Sequence, residues 1–312
     1  MTPFSSPWWL PGGHLQTIYA SLRRPPRVAL ERERWDTPDG DFIDVDFAGD
    51  VAAARRLVLF HGLEGNSNSH YARAIAAHAA REGWRVALPH FRGCSGEPNR
   101  TPRAYHSGDS AEIDWIIRKF NAPMFAAGIS LGGNALLKWL GERGDDARKL
   151  VTRAAAVSAP IDLPAAGHAL DQGLNRFLYT RHFLSTLKPK SLDKLERFPG
   201  LYDAGVVRGA RGFRDFDNTV TAPLHGFRDV DHYWSEAASG PWLERIRVPT
   251  LVVNARNDPF LPEHALVAAT QNAAPCVVLE FPRTGGHAGF VSGPFPGHHG
   301  WLSKRLLQFL EP

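Results

Sequence analysis

Apolar residues along this chain fall into short runs of strand length that alternate with stretches at helical spacing. Glu33–Asp36 and Phe42–Phe47 flank Pro38-Asp39-Gly40 and predict a hairpin. Arg56–Phe60 predicts a buried strand, Tyr71–Arg81 a helix stopped by Gly83, and Trp84–Leu88 the next strand. Ser110–Phe120 carries Ile113, Ile116 and Ile117 on one helical face. Pro123–Ala127 is a strand-length run, and Gly133–Leu140 is rich in helix formers. Ala154–Ser158 predicts a strand ended by Pro160. Further on, Pro249–Asn254 and Cys276–Phe281 read as strands, Glu263–Asn272 and Trp301–Leu310 as helices. Antiparallel strands followed by repeated β-α units imply an α/β fold. The expected architecture is a mostly parallel, eight-stranded-type sheet with helices on both faces.

Between Ile161 and about Pro241 the alternation fails. Pro, Gly, aromatic and charged residues mix there, with short helical pieces such as Leu174–Leu187. A stretch of this length is uncommon as plain loop in a compact domain and is usually functional. The expected organisation is one domain over 1–312 with a cap inserted at about 161–241. No internal repeat interrupts it.

Chemistry enters at Gly128-Ile129-Ser130-Leu131-Gly132, a G-x-S-x-G between a strand and a helix. A sharp strand-turn-helix with Ser at its tip is a nucleophile elbow, and glycines flank the Ser because a Cβ there would clash. Ser130 is therefore the candidate nucleophile. An acid and a base must follow it in the order Ser, Asp, His. Asp258 lies just beyond the strand Pro249–Asn254, and His287 lies in Gly285-Gly286-His287-Ala288-Gly289 beyond Cys276–Phe281. All three follow strand C-termini, the edge where open α/β sheets place their sites. Asp162, soon after Ala154–Ser158, is the rival acid. The oxyanion donors expected are the backbone N–H groups of Leu131 and of Leu63 in Phe60-His61-Gly62-Leu63-Glu64-Gly65. His61 is expected to brace that loop rather than to act as a base. Phe177, Leu178, Phe183 and Leu184 are candidates for an apolar acyl pocket.

Composition narrows the rest. Hydrophobic residues make up 43% and charged residues 22% of 312, the balance of a soluble globular chain with a sizeable core. The formal net charge is +4, with basic residues dispersed and no long run of like charge, so no nucleic-acid tail is indicated. Cys94 and Cys276 are too few for a disulfide framework, and a reducing compartment follows. The segment Met1–Trp9 lacks the basic and apolar regions of a secretory signal. No stretch is apolar for the roughly 18 residues that span a bilayer. A cytoplasmic location is expected, with peripheral membrane contact open. His287, His298 and His299 show no metal-ligand spacing, no P-loop lysine follows Gly132-Gly133, and no cofactor or metal is expected.

Together these residues resemble the YheT-type α/β-hydrolases, a group with plant embryogenesis-associated proteins, yeast ethanol acyltransferase/esterases and mammalian abhydrolase-domain phospholipases. The resemblance rests on Gly13-His14-Leu15-Gln16-Thr17, His61-Gly62-Leu63-Glu64-Gly65, Phe91-Arg92-Gly93-Cys94-Ser95-Gly96, Tyr105-His106-Ser107-Gly108 and the elbow. It continues through Phe216-Asp217, Thr221-Ala222-Pro223, Gly226-Phe227, Asn257-Asp258-Pro259-Phe260 and Gly285–Phe290. It implies carboxylester hydrolysis by Ser130, Asp258 and His287 on short- to medium-chain acyl esters or lipids. Transfer to alcohols and phospholipase or monoacylglycerol lipase-like action are the alternatives, and a non-catalytic binder on the same fold is the remote one. Asn257 departs from the Asp-Asp expected in many members. A head-group role for Arg92 or Arg256 is weighed against ordinary ion pairing.

Overall fold

The inner strands of a mostly parallel sheet carry side chains that alternate between two apolar layers. The computed structural model describes residues 4–120 and 122–311; Met1–Pro3 of the N-terminal segment read above lie outside them. Strands β1 (Glu31–Asp36), β2 (Phe42–Ala48), β3 (Arg55–Phe60), β4 (Trp84–Pro89), β5 (Met124–Ile129), β6 (Val151–Val157), β7 (Thr250–Val253) and β8 (Val277–Glu280) form one sheet. Their order is β1-β2-β4-β3-β5-β6-β7-β8. β1 and β2 pair antiparallel, β2 joins β4 antiparallel, and every pairing from β4 to β8 is parallel.

The strand period of two sorts residues between the layers. On one face Val58, Phe60, Ala126, Ala154, Ala156 and Val252 pack under helices Ser110–Arg118 and Leu131–Arg143. On the other, Leu57, Leu59, Ala127, Ile129, Ala155, Val157, Leu251 and Val253 pack under His70–Arg81 and Gly300–Leu310. The central strands are thus buried on both sides, which explains why they read as continuous apolar runs.

The structure also contains a helix that hydrophobic spacing does not predict, Gly13–Leu22. Its buried residues are Gln16, Thr17 and Ala20, so its inward face is mostly polar and gives no apolar period. Between β6 and β7 the chain is almost wholly helical: Leu163–Leu170, Gly173–Asn175, Arg181–Arg197, Ala204–Gly209, Phe213–Phe216 and Val230–Ala237 are its main pieces. Two π-helical turns, Arg176–Thr180 and Asp217–Thr221, interrupt them. These helices have small apolar centres of their own, around Trp234 and Phe213 and around Val207 and Leu184. Among the described residues no helix is long and apolar enough to cross a membrane.

Candidate active site

Ser130 leaves β5 with φ 55 and ψ −123, a conformation that L residues rarely adopt. Backbone bonds hold it there. Ser130 N–H donates to Val157 O at 2.8 Å, Gly132 N–H to His61 O at 3.1 Å, and Asn134 N–H to Ser130 O at 3.0 Å. The flanking glycines are required by space. A Cβ on Gly128 would lie 2.4 Å from Gly132 O, and one on Gly132 would lie 2.5 Å from His61 O.

Three side chains meet at this turn. Ser130 Oγ–H donates to His287 Nε2 at 2.9 Å. His287 Nδ1–H donates to Asp258 Oδ2 at 2.9 Å, with Oδ1 at 3.2 Å. The Asp258 carboxylate is almost fully buried, and Oδ1 also accepts the Phe260 N–H at 2.8 Å. The Phe260 ring stacks on the His287 imidazole with centroids 3.8 Å apart. That stack and the carboxylate fix the imidazole plane from two directions. Asp162 is elsewhere: it caps helix Leu163–Leu170 by accepting the Ala165 N–H at 2.9 Å.

The loop after β3 approaches Ser130 so closely that a Cβ on Gly62 would sit 3.0 Å from Ser130 Cβ. Its donors are mostly occupied. Gly62 N–H donates to Tyr71 Oη at 2.8 Å and Glu64 N–H to Tyr105 Oη at 2.9 Å. The Leu63 N–H between them, and the Leu131 N–H after Ser130, make no hydrogen bond among the described residues. His61 braces this loop. Its Nδ1–H donates to Gly62 O at 2.7 Å, and Nε2 accepts the Phe91 N–H at 3.0 Å. Both nitrogens are thereby used by a neutral ring, and burial pushes its pKa down to about 3. Glu64 ties the loop to the inserted helices through Lys190 at 2.8 Å.

Spacing alone did not reveal why Gly13–Thr17 matters. Thr17 Oγ1 accepts the His287 N–H at 2.8 Å and donates to Gly13 O at 2.7 Å. Gln16 Oε1 accepts Gly285 N–H at 2.8 Å and Asn257 Nδ2–H at 3.0 Å. Asn257 Oδ1 accepts Gly286 N–H at 3.1 Å. One polar helix face thus clamps the Asp258 loop to the His287 loop. Asn257 must both donate and accept, and a carboxylate in its place would set an oxygen against Gln16 Oε1. A Cβ on Gly13 would lie 2.0 Å from Asn257 O, so the helix can sit this close only with glycine.

A cavity opens over Ser130 and His287. Leu63 and Leu131 border it on the sheet side, and Leu163, Phe183, Leu187, Phe213 and Trp234 on the inserted side. Of the four acyl-pocket candidates only Phe183 lines it. Leu184 is buried in the centre around Val207, while Phe177 and Leu178 are 71% and 36% exposed on the outer surface. The π-helical turn at Arg176–Thr180 adds a residue to the turn and shifts the helical phase by about 100°.

Arg92 and Arg256 are both engaged in ion pairs. Arg92 is buried against Glu112, Asp41 and Asp39 at 2.6, 3.0 and 2.9 Å, and Arg256 meets Glu263 at 2.5 Å. No cluster of three metal-ligating side chains occurs among the described residues.

Comparison with known proteins follows the same lines. A family model described as the alpha/beta hydrolase fold matches residues 55–294. The chain is 38% identical over 308 residues to the YheT protein of Escherichia coli, covering 95% of this chain and 89% of that one. It is 28% identical to the phospholipase ABHD3 of Homo sapiens, over 97% of this chain and 77% of that protein. An esterase from Exiguobacterium antarcticum superposes with a TM-score of 0.59 at 16% identity, over 90% of this chain and all of the other, a likeness of fold. With a family model spanning most of the sheet and a relative of this identity along nearly its whole length, the chain belongs to the α/β-hydrolase family, in its YheT-type branch.

Proposed function

We propose that the protein is a serine carboxylesterase acting on short- to medium-chain acyl esters through Ser130, His287 and Asp258. The observation that carries this reading is the unbroken hydrogen-bond chain from Ser130 Oγ through His287 to Asp258, opening into an apolar cavity. Ser130 Oγ attacks the ester carbonyl as His287 Nε2 takes its proton. Asp258 holds Nδ1–H and stabilises the imidazolium that forms. The Leu63 and Leu131 N–H groups receive the oxyanion, each contributing about 3 kcal/mol to the transition state. His287 then protonates the departing alcohol, an acyl-Ser130 remains, and water activated by His287 releases the acid. The inserted helices act as a cap, with Phe183, Phe213 and Trp234 facing the acyl chain.

The phospholipase relative favours a second reading, in which the same acyl-enzyme is formed from a glycerolipid ester. A panel of p-nitrophenyl and glyceryl esters of graded acyl length, run beside Ser130→Ala, tests both. The expected result is a chain-length optimum that vanishes in Ser130→Ala. Hydrolysis by Ser130→Ala at the wild-type rate would contradict the mechanism.

A further inference from the structure

The turn that supports the active site from inside carries an unusual surface outside. Residues 172–192 hold Arg176, Arg181, Lys188 and Lys190 and not one carboxylate. Lys190 turns inward to Glu64. Arg176, Arg181 and Lys188 surround a shallow groove with Arg211. Arg176 Nε donates to Arg211 O and Lys188 Nζ to Arg208 O, so both meet backbone carbonyls rather than acids. None of Arg176, Arg181, Lys188, Arg208 and Arg211 forms an ion pair among the described residues. The neighbouring Arg214, by contrast, is paired with Asp231 at 2.6 Å.

Apolar side chains stand within this basic field. Leu174 is 57% and Phe177 71% exposed, with Leu178 beside them. Clustered exposed apolar residues rimmed by cations are the pattern of an interfacial segment: the apolar groups enter the acyl boundary and the cations meet anionic head groups. The inner side of the same turn reaches the chemistry. Tyr179 is buried with its ring 4.7 Å from Phe260, and Phe260 stacks on His287.

We propose that the outer face of residues 174–188, with Arg208 and Arg211, docks the protein on an anionic lipid surface. Leu174, Phe177 and Leu178 insert while the five cations meet lipid phosphates, which brings the cavity wall to the membrane. The consequence for substrate, an ester drawn from the bilayer, rests on the esterase reading. The docking itself does not, and its test needs no catalysis.

The test is co-sedimentation of the full chain, as wild type and as Ser130→Ala, with phosphatidylcholine vesicles with and without phosphatidylglycerol. Both proteins should bind only the anionic vesicles, and less as salt is raised. Arg176→Glu with Arg181→Glu should weaken binding at least about tenfold. Leu174→Ser should weaken it measurably, and both variants should keep the wild-type circular dichroism spectrum and Tm, which shows that they fold. Absence of binding to anionic vesicles would overturn the proposal, as would wild-type binding by the charge-reversed protein. Binding that Leu174→Ser leaves untouched and that a soluble polyanion fully displaces would overturn it too, since the surface would then recognise an acidic macromolecule.

Discussion

The C-terminal edge of the sheet and the helices inserted between β6 and β7 enclose the same cavity by different physical means. At the sheet edge, position is imposed by backbone. Ser130 is locked by three main-chain bonds, glycines admit contacts that a Cβ would forbid, and the His287 loop hangs from Thr17 and Gln16. In the inserted helices, position is imposed by side-chain packing around Trp234 and Val207, with two π-helical turns breaking the regular ladder. The difference teaches that the chemistry rests on groups that tolerate no change in shape, while the cavity wall rests on apolar volumes that can be exchanged.

Substitutions should divide along that line. The largest effect is expected for Gly132→Ala, whose new Cβ would meet two carbonyl oxygens, His61 O at 2.5 Å and Phe60 O at 2.7 Å. Esterase activity should fall below detection and Tm should drop by several degrees in thermal melts; a fully active Gly132→Ala protein would break the account of the elbow. Next comes Thr17→Val, which keeps the shape and removes the acceptor of the His287 N–H. Loss of one buried acceptor costs about 1–3 kcal/mol, so kcat should fall roughly tenfold to a hundredfold with KM little changed. An equal fall for a surface threonine such as Thr219 would show that the clamp is not special.

On the inserted side, Phe183→Ala should move the acyl-length optimum upward and leave the reaction of Ser130 with a small fluorophosphonate unchanged, as read by ester panels and labelling rates. The smallest effect concerns Asp217. Its side chain accepts bonds from Trp234 Nε1 and Thr221 Oγ1, and the exposure it retains opens toward the cavity. Burial pushes this carboxyl up from 3.8 to about 6. A raised carboxyl pKa means that the folded state holds the proton more tightly. Its stability is therefore fully present below pH 4 and lost as pH rises through 6. Asp217→Asn should raise Tm relative to wild type at pH 8, and the gap should close near pH 4.

How much of this was legible in the sequence depends on which force set each part. β3, β5, β6 and β7 are dense in Val, Leu and Ala because both their faces are covered, and such runs are visible. Ser130, Asp258 and His287 stood out because residue type and strand ends coincided. Helix Gly13–Leu22 was hidden because polar bonds, not apolar burial, hold it to the site. The inward face of the inserted helices was hidden because their apolar residues serve three environments, Phe183 at the cavity, Leu184 in the centre around Val207 and Phe177 on the outer surface.

The most direct measurement is active-site labelling with a fluorophosphonate, followed by mapping of the modified peptide in wild type, His287→Ala and Ser130→Ala. The account predicts one adduct per chain, on Ser130, formed far more slowly in His287→Ala and absent in Ser130→Ala. Stoichiometric labelling at another residue, or an unreactive Ser130 in the folded wild-type protein, would contradict it.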